Sequence, residues 1–174
     1  MKFSNFLSAS AAVVASVSAF AIDLKAQQPI GALGGEIPGG SPINHCSNPD
    51  TDLIQIDRIY ISPNPPQRGQ QLHFEASGIV KKRIEEGAYL KVDVIYNRYI
   101  HLIRNQTFDF CENIQKAEVD ISCPIEEGPL TVVKEVDLPG EIPPGKFIVT
   151  AFLYTVNDEM MTCLHAETTF NRAS

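Results

Sequence analysis

The sequence holds no tryptophan, which excludes little, and no catalytic signature, which excludes more. No Gly-x-Ser-x-Gly elbow, His-Glu-x-x-His pair or phosphate-cradling glycine loop occurs, so the chemistries those patterns serve lack their residues. His45, His73, His101 and His165 are dispersed, and a lone histidine on a strand is more often an exposed or rim residue than a ligand. The adjacent carboxylates Glu85-Glu86 and Glu126-Glu127 point apart on an extended chain, so neither pair forms an acid/base couple. No two cysteines have Cys-x-x-Cys spacing and none has a histidine at ligand spacing, so no metal site is expected. The sequence predicts no enzyme and no cofactor. Positive charge is also scarce: 14 Lys and Arg stand against 21 Asp and Glu, for a net charge of −7. The basic residues are scattered, which argues against nucleic acid as a partner and against strong electrostatic docking to anionic lipid. Apolar residues at helical period are missing from every segment of useful length.

What is present reads as strands. Residues 146–156, Lys-Phe-Ile-Val-Thr-Ala-Phe-Leu-Tyr-Thr-Val, are β-branched, aromatic or aliphatic almost without a break, which predicts a central strand covered on both faces. Asn157-Asp158 supplies a turn, and residues 160–170 return. Ahead of this hairpin, extended runs are predicted at 53–61, 71–80, 89–96, 99–104, 107–110 and 130–136. Pro- and Gly-rich turns separate them, among them Ser62-Pro63-Asn64-Pro65-Pro66 and residues 138–145. Ile84-Glu-Glu-Gly87 and Ile125-Glu-Glu-Gly128 each precede a strand and read as one turn chemistry used twice. Seven or eight short strands with turns between them predict a sandwich or a barrel.

The ends differ in composition. A basic Met1-Lys2 followed by an apolar, small-residue run to Ala21 reads as a secretory signal over residues 1–21. Residues 22–40, with their Gln, Pro and Gly, read as a flexible propeptide or linker, and the folded domain is expected over 41–174. Cys46, Cys111, Cys123 and Cys163 all follow the leader, and an even count in a secreted chain favours two disulfides. Three pairings are open. Cys111 and Cys123 flank a short segment that closes easily, whereas joining Cys46 to Cys163 would tie the two ends of the domain together. Asn105-Gln106-Thr107 is a glycosylation sequon at Asn105.

Several motifs in combination carry a family likeness: Ser41-Pro-Ile-Asn-His-Cys46, Ile61-Ser-Pro-Asn-Pro-Pro66, Ile84-Glu-Glu-Gly87, Cys123-Pro124, Glu141-Ile-Pro-Pro-Gly-Lys-Phe147 and Thr162-Cys163-Leu164. Residues 41–170 resemble the fungal phosphatidylglycerol/phosphatidylinositol transfer proteins of the ML (lipid-recognition) domain family, to which the Niemann–Pick type C lysosomal sterol carrier is related. The resemblance implies an all-β, immunoglobulin-like sandwich of two antiparallel sheets with an apolar cavity between them, and disulfides Cys46–Cys163 and Cys111–Cys123. Some relatives carry a further cysteine pair after the first strand; here Ser62-Pro-Asn-Pro-Pro66 stands in that place. The implied function is a soluble, monomeric carrier that moves phospholipid or sterol between membranes by transient contact, in the vacuolar or lysosomal lumen or outside the cell. Inward apolar residues should form the wall: Phe74, Leu90, Val92, Val94, Tyr96, Ile100, Leu102, Val132, Val149, Phe152 and Tyr154 are the candidates, and each could equally be ordinary core. An immunoglobulin-like recognition module without lipid is the alternative, and it requires a filled core.

Overall fold

Each extended run between the Pro/Gly turns becomes a strand. In the computed structural model, which describes residues 34–171, the elements are β1 (Ile43–His45), β2 (Ile54–Ser62), β3 (Gln71–Val80), β4 (Tyr89–Tyr96), β5 (Ile100–Asp109), α1 (Phe110–Lys116), β6 (Gly128–Asp137), β7 (Gly145–Tyr154) and β8 (Met160–Phe170). They form a five-stranded antiparallel sheet, β1-β8-β7-β4-β5, and a three-stranded one, β2-β3-β6. β7 lies between β8 and β4, the interior position that its unbroken apolar run predicts. The two runs expected at 99–104 and 107–110 are one strand, β5, carried past two irregularities in its pairing with β4. Leu102 is the extra residue at one, and Arg104 and Asn105 together face Asp93 at the other, with Asn105 at φ +46°.

Two expectations need correction. The expected signal over 1–21 and most of the 22–40 linker lie outside the described residues, but Gly34 to Gly40 belong to the fold. Ile37 is fully buried against Ile59 and Ile61, Glu36 bridges to Asn44, and the Ile59 amide donates to the Pro38 carbonyl. One apolar residue among Pro and Gly was too weak a pattern to mark this packing. The second correction is α1, a helix where none was expected. Asp109 caps it by accepting from the Glu112 amide at 2.7 Å, and Glu112 pairs with Lys116 one turn on. Seven residues are too few for a visible apolar period, although Asp109-x-x-Glu112 is a start signal that could have been read.

Three ties hold the sheets together. At one side, Cys46, just after β1, is bonded to Cys163 of β8 in the same sheet and its amide donates to the Cys163 carbonyl. The Leu53 amide, on the way into β2, donates to the Met161 carbonyl and so joins the small sheet to the large one. Beside the disulfide the buried Asp52 carboxylate accepts from Ser47 Oγ at 2.6 Å and Thr162 Oγ1 at 3.0 Å, while the Cys163 amide donates to Ser47 Oγ. A buried carboxylate without such donors would be strongly destabilising. At one end, the twin turns meet: Ile84 and Ile125 exchange two backbone hydrogen bonds of 2.9 Å, joining the approach to β4 with the approach to β6. Gly87 and Gly128 close these turns at φ +86° and +135°, a region that side chains disfavour. The third tie, Cys111–Cys123, fastens α1 to the segment before β6.

The core is correspondingly divided. One cluster (Val80, Ile84, Ala88, Ile114, Ile125, Leu153 and Met161) fills the end where the turns meet. A second (Ile37, Ile59 and Ile61) fills the side where β2 approaches β8. The edge strands β5 and β6 lie away from that side, and no buried cluster bridges them among the described residues.

Candidate functional site

Between the two sheets lies an open slot of about 500 Å³. From the small sheet it is walled by Ile56, Phe74, Ala76, Gly78, Leu130 and Val132, and from the large one by Leu90, Ala151, Leu153 and Leu164. Ile114 of α1 and Val119 and Ile121 after it cover one end. Residue size explains why the space stays unfilled. Alternate residues of β3 place Phe74, Ala76 and Gly78 on one face, and β7 offers Ala151 between Val149 and Leu153. Gly78 is also required by the backbone: a Cβ there would stand 2.2 Å from the Gln55 carbonyl oxygen, where β2 bulges. A volume of this size with an almost wholly apolar lining suits an aliphatic ligand. Left empty, such walls forgo the dispersion contacts that a packed interior has.

The sequence candidates divide three ways. Phe74, Leu90 and Val132 line the slot. Val92, Val94 and Val149 belong to the same sheet face farther along β4 and β7, for Val92 pairs with Ala151 and Val94 with Val149, but they lie outside the slot lining. Tyr96 continues that face and is engaged elsewhere: its ring packs on Phe147 at 5.1 Å and its hydroxyl donates to the Pro144 carbonyl. Four assignments are overturned. Ile100 and Leu102 are each 52% exposed on edge strand β5, at the hairpin tip and the bulge. Phe152 and Tyr154 have the opposite parity to Ala151 and Leu153, so they face away from the slot. Tyr154 stacks on Tyr89 at 5.2 Å, and Lys91 Nζ lies 5.1 Å from the Tyr154 ring. There the Tyr89 hydroxyl donates to Asp158 Oδ1 at 2.7 Å, which pushes its pKa up to about 12.

Other lining residues went unread, chiefly Ile54, Ile56, Ala151, Leu153 and Leu164 and the loop after α1. The small residues carry no hydrophobic signal, and the loop enters the lining through a tie that periodicity does not encode. The sequon residues Asn105, Gln106 and Thr107 are all exposed on β5. His73 pairs with Glu135, His101 with Asp93, and His165 lies near Thr150 and Glu167. No cluster of three metal-ligating side chains occurs among the described residues.

Comparison with known proteins gives a consistent picture. The family described as ML domain matches residues 40–170. A phosphatidylglycerol/phosphatidylinositol transfer protein of Yarrowia lipolytica is 49% identical over 135 residues, which is 78% of this chain and 69% of that protein. A protein of the same name from Neurospora crassa is 43% identical over 169 residues, 94% of this chain and 93% of the other. Among solved structures, chicken MD-1 complexed with lipid IVa superposes with a TM-score of 0.51 at 18% identity, over 78% of this chain and 96% of that one, a likeness of fold.

Proposed function

The chain belongs to the ML domain family, and on that premise we propose that it carries phosphatidylglycerol and phosphatidylinositol between membranes, with the acyl chains held in the slot between its sheets. The observation that carries this reading is the slot itself, an open apolar space between the two sheets. A recognition module would have that space filled with side chains. Each methylene group moved from water into the slot contributes about 0.8 kcal/mol. A bilayer offers nearly the same, so exchange between membrane and slot is close to neutral while escape into water is steeply unfavourable. That balance is what a carrier needs, and it requires neither covalent chemistry nor a cofactor. The two disulfides fit an oxidising compartment, outside the cell or in a lumen. Contact with the membrane is transient in this reading, and a single copy suffices because the slot is built within one chain.

The test is native mass spectrometry of protein purified from its own source, together with transfer of labelled phosphatidylglycerol between vesicles. The expected result is a bound phospholipid and transfer proportional to protein concentration. Protein that is bare of lipid and moves none overturns the reading.

A further inference from the structure

We propose that Lys134 is the anchor for the phosphodiester group of the carried lipid, an inference that rests on the carrier reading above. Among the residues lining the slot, Lys134 is the one with an ionisable side chain. Its position on β6 sets its depth. The residues of β6 that line the slot are Leu130, Val132, Lys134 and Val136. Leu130 packs against the filled end, Val132 and Lys134 are half-buried, and Val136 is 38% exposed. Lys134 therefore stands next to the exposed Val136 on the same strand face, toward the outer end of the slot and roughly 13 Å along the strand from Leu130.

Among the described residues, Lys134 also forms no ion pair. Lys82, Arg83, Lys116 and Lys146 pair with carboxylates. Lys81 and Arg68 donate to backbone carbonyls, and Arg58 and Lys91 lie against tyrosine rings. Among the described residues this leaves Arg98, Arg104 and Lys134 unpartnered, and of these three only Lys134 lines the slot. The adjacent carboxylate, Glu135, has the opposite parity and is held by His73 at 2.6 Å. The stem of Lys134 is half-buried among the apolar residues of the wall, and its ammonium has no carboxylate within ion-pair distance among the described residues. A lipid phosphodiester supplies an anion through a charge-assisted hydrogen bond, while its acyl chains run inward toward Leu130 and Leu153 and its polar head stays at the outer end of the slot. The cation thereby sets the register of the lipid in the slot. It selects a phospholipid of net negative charge over uncharged diacylglycerol, which fills the slot with the same chains but offers no anion.

The experiment compares the native chain with Lys134→Met and Lys134→Arg, measuring transfer of labelled phosphatidylglycerol and of labelled diacylglycerol from the same phosphatidylcholine vesicles. The expected result for Lys134→Met is a fall of about tenfold or more in phosphatidylglycerol transfer, with diacylglycerol transfer held within about twofold. Lys134→Arg retains both. Two results overturn the anchor: Lys134→Met moving phosphatidylglycerol at the native rate, or losing both lipids alike. A native protein that moves neither lipid brings down the carrier reading itself, so the two failures are distinguishable.

Discussion

The filled end and the slot are built from the same strands by the same alternation, yet one is close-packed and the other hollow. Where the Ile84 and Ile125 turns meet, Ala88 and Met161 are fully buried and Val80, Ile84 and Leu153 nearly so. A few residues along, β3 and β7 present Ala76, Gly78 and Ala151 to one another's sheet, and the sheets are no longer tied. Burial thus follows the ties: where turns or a disulfide fix the sheets, large aliphatic side chains fill the interval, and where nothing fixes them, small residues leave room for a guest. Stability belongs to the first region and binding to the second, and substitutions in each should separate the two properties.

The largest effect is expected from the bridge that closes the filled side. Cys46 and Cys163 are 117 residues apart, and chain-entropy estimates put a loop of about 100 residues near 4.7 kcal/mol. The double change Cys46→Ala with Cys163→Ala should therefore lower unfolding free energy by about 4 kcal/mol, read from urea denaturation of the lipid-free protein. Cys111 and Cys123 are only 12 residues apart, for which the same reasoning gives about 3 kcal/mol. That bridge holds the segment carrying Val119 and Ile121 over the slot, so its loss should speed lipid release more than the loss of the longer bridge does. Equal effects of both bridges on release would mean that the slot and the filled side are not separate regions.

Next in size is one substitution made in both places. Ala88 is fully buried in the filled cluster, and Ala88→Phe should destabilise by about 1–3 kcal/mol through overpacking. Ala151 borders empty space, so Ala151→Phe should leave unfolding free energy within about 1 kcal/mol of native, or raise it, while phospholipid transfer falls sharply. Similar destabilisation at both positions would show the slot to be ordinary core.

These contrasts explain what could be read in the chain beforehand. The strands were legible because alternation and β-branching act locally: β3, β4 and β8 begin and end where the pattern does. The slot was legible only in part, because its existence depends on which residues are small and on where the sheets are tied. Phe74, Leu90 and Val132 are large and correctly phased, whereas Phe152 and Tyr154 are large and out of phase with Ala151 on the same strand. Treating both parities of β7 as wall ignored the one rule that a single strand cannot break without a bulge. Ile100 and Leu102 fail for another reason, since the irregular edge β5 places apolar residues at a bulge and a tip, where alternation no longer reports burial. Ile37 shows the reverse: a residue in a stretch with no pattern can still be wholly buried when a neighbouring strand needs its cover.

The smallest effect belongs to neither region and so serves as their control. On the outer face of the five-stranded sheet, Glu167 pairs with Lys146, whose ammonium holds the carboxyl below its usual range, with His165 and Arg98 adding to the shift. Because the folded pKa lies below the unfolded one, the pair's contribution is complete above the unfolded carboxylate value of about 4.3 and is lost as pH falls through the folded value. Both side chains are substantially exposed, so the contribution is below about 1 kcal/mol and shrinks with added salt. Glu167→Gln should therefore be slightly less stable than native at pH 7, and the two should converge on acidification below pH of about 4. Lipid transfer should be unchanged, because this carboxylate lies on the face turned away from the slot. A loss of transfer in Glu167→Gln would mean that the outer face communicates with the guest, and the division between the two regions would have to be redrawn.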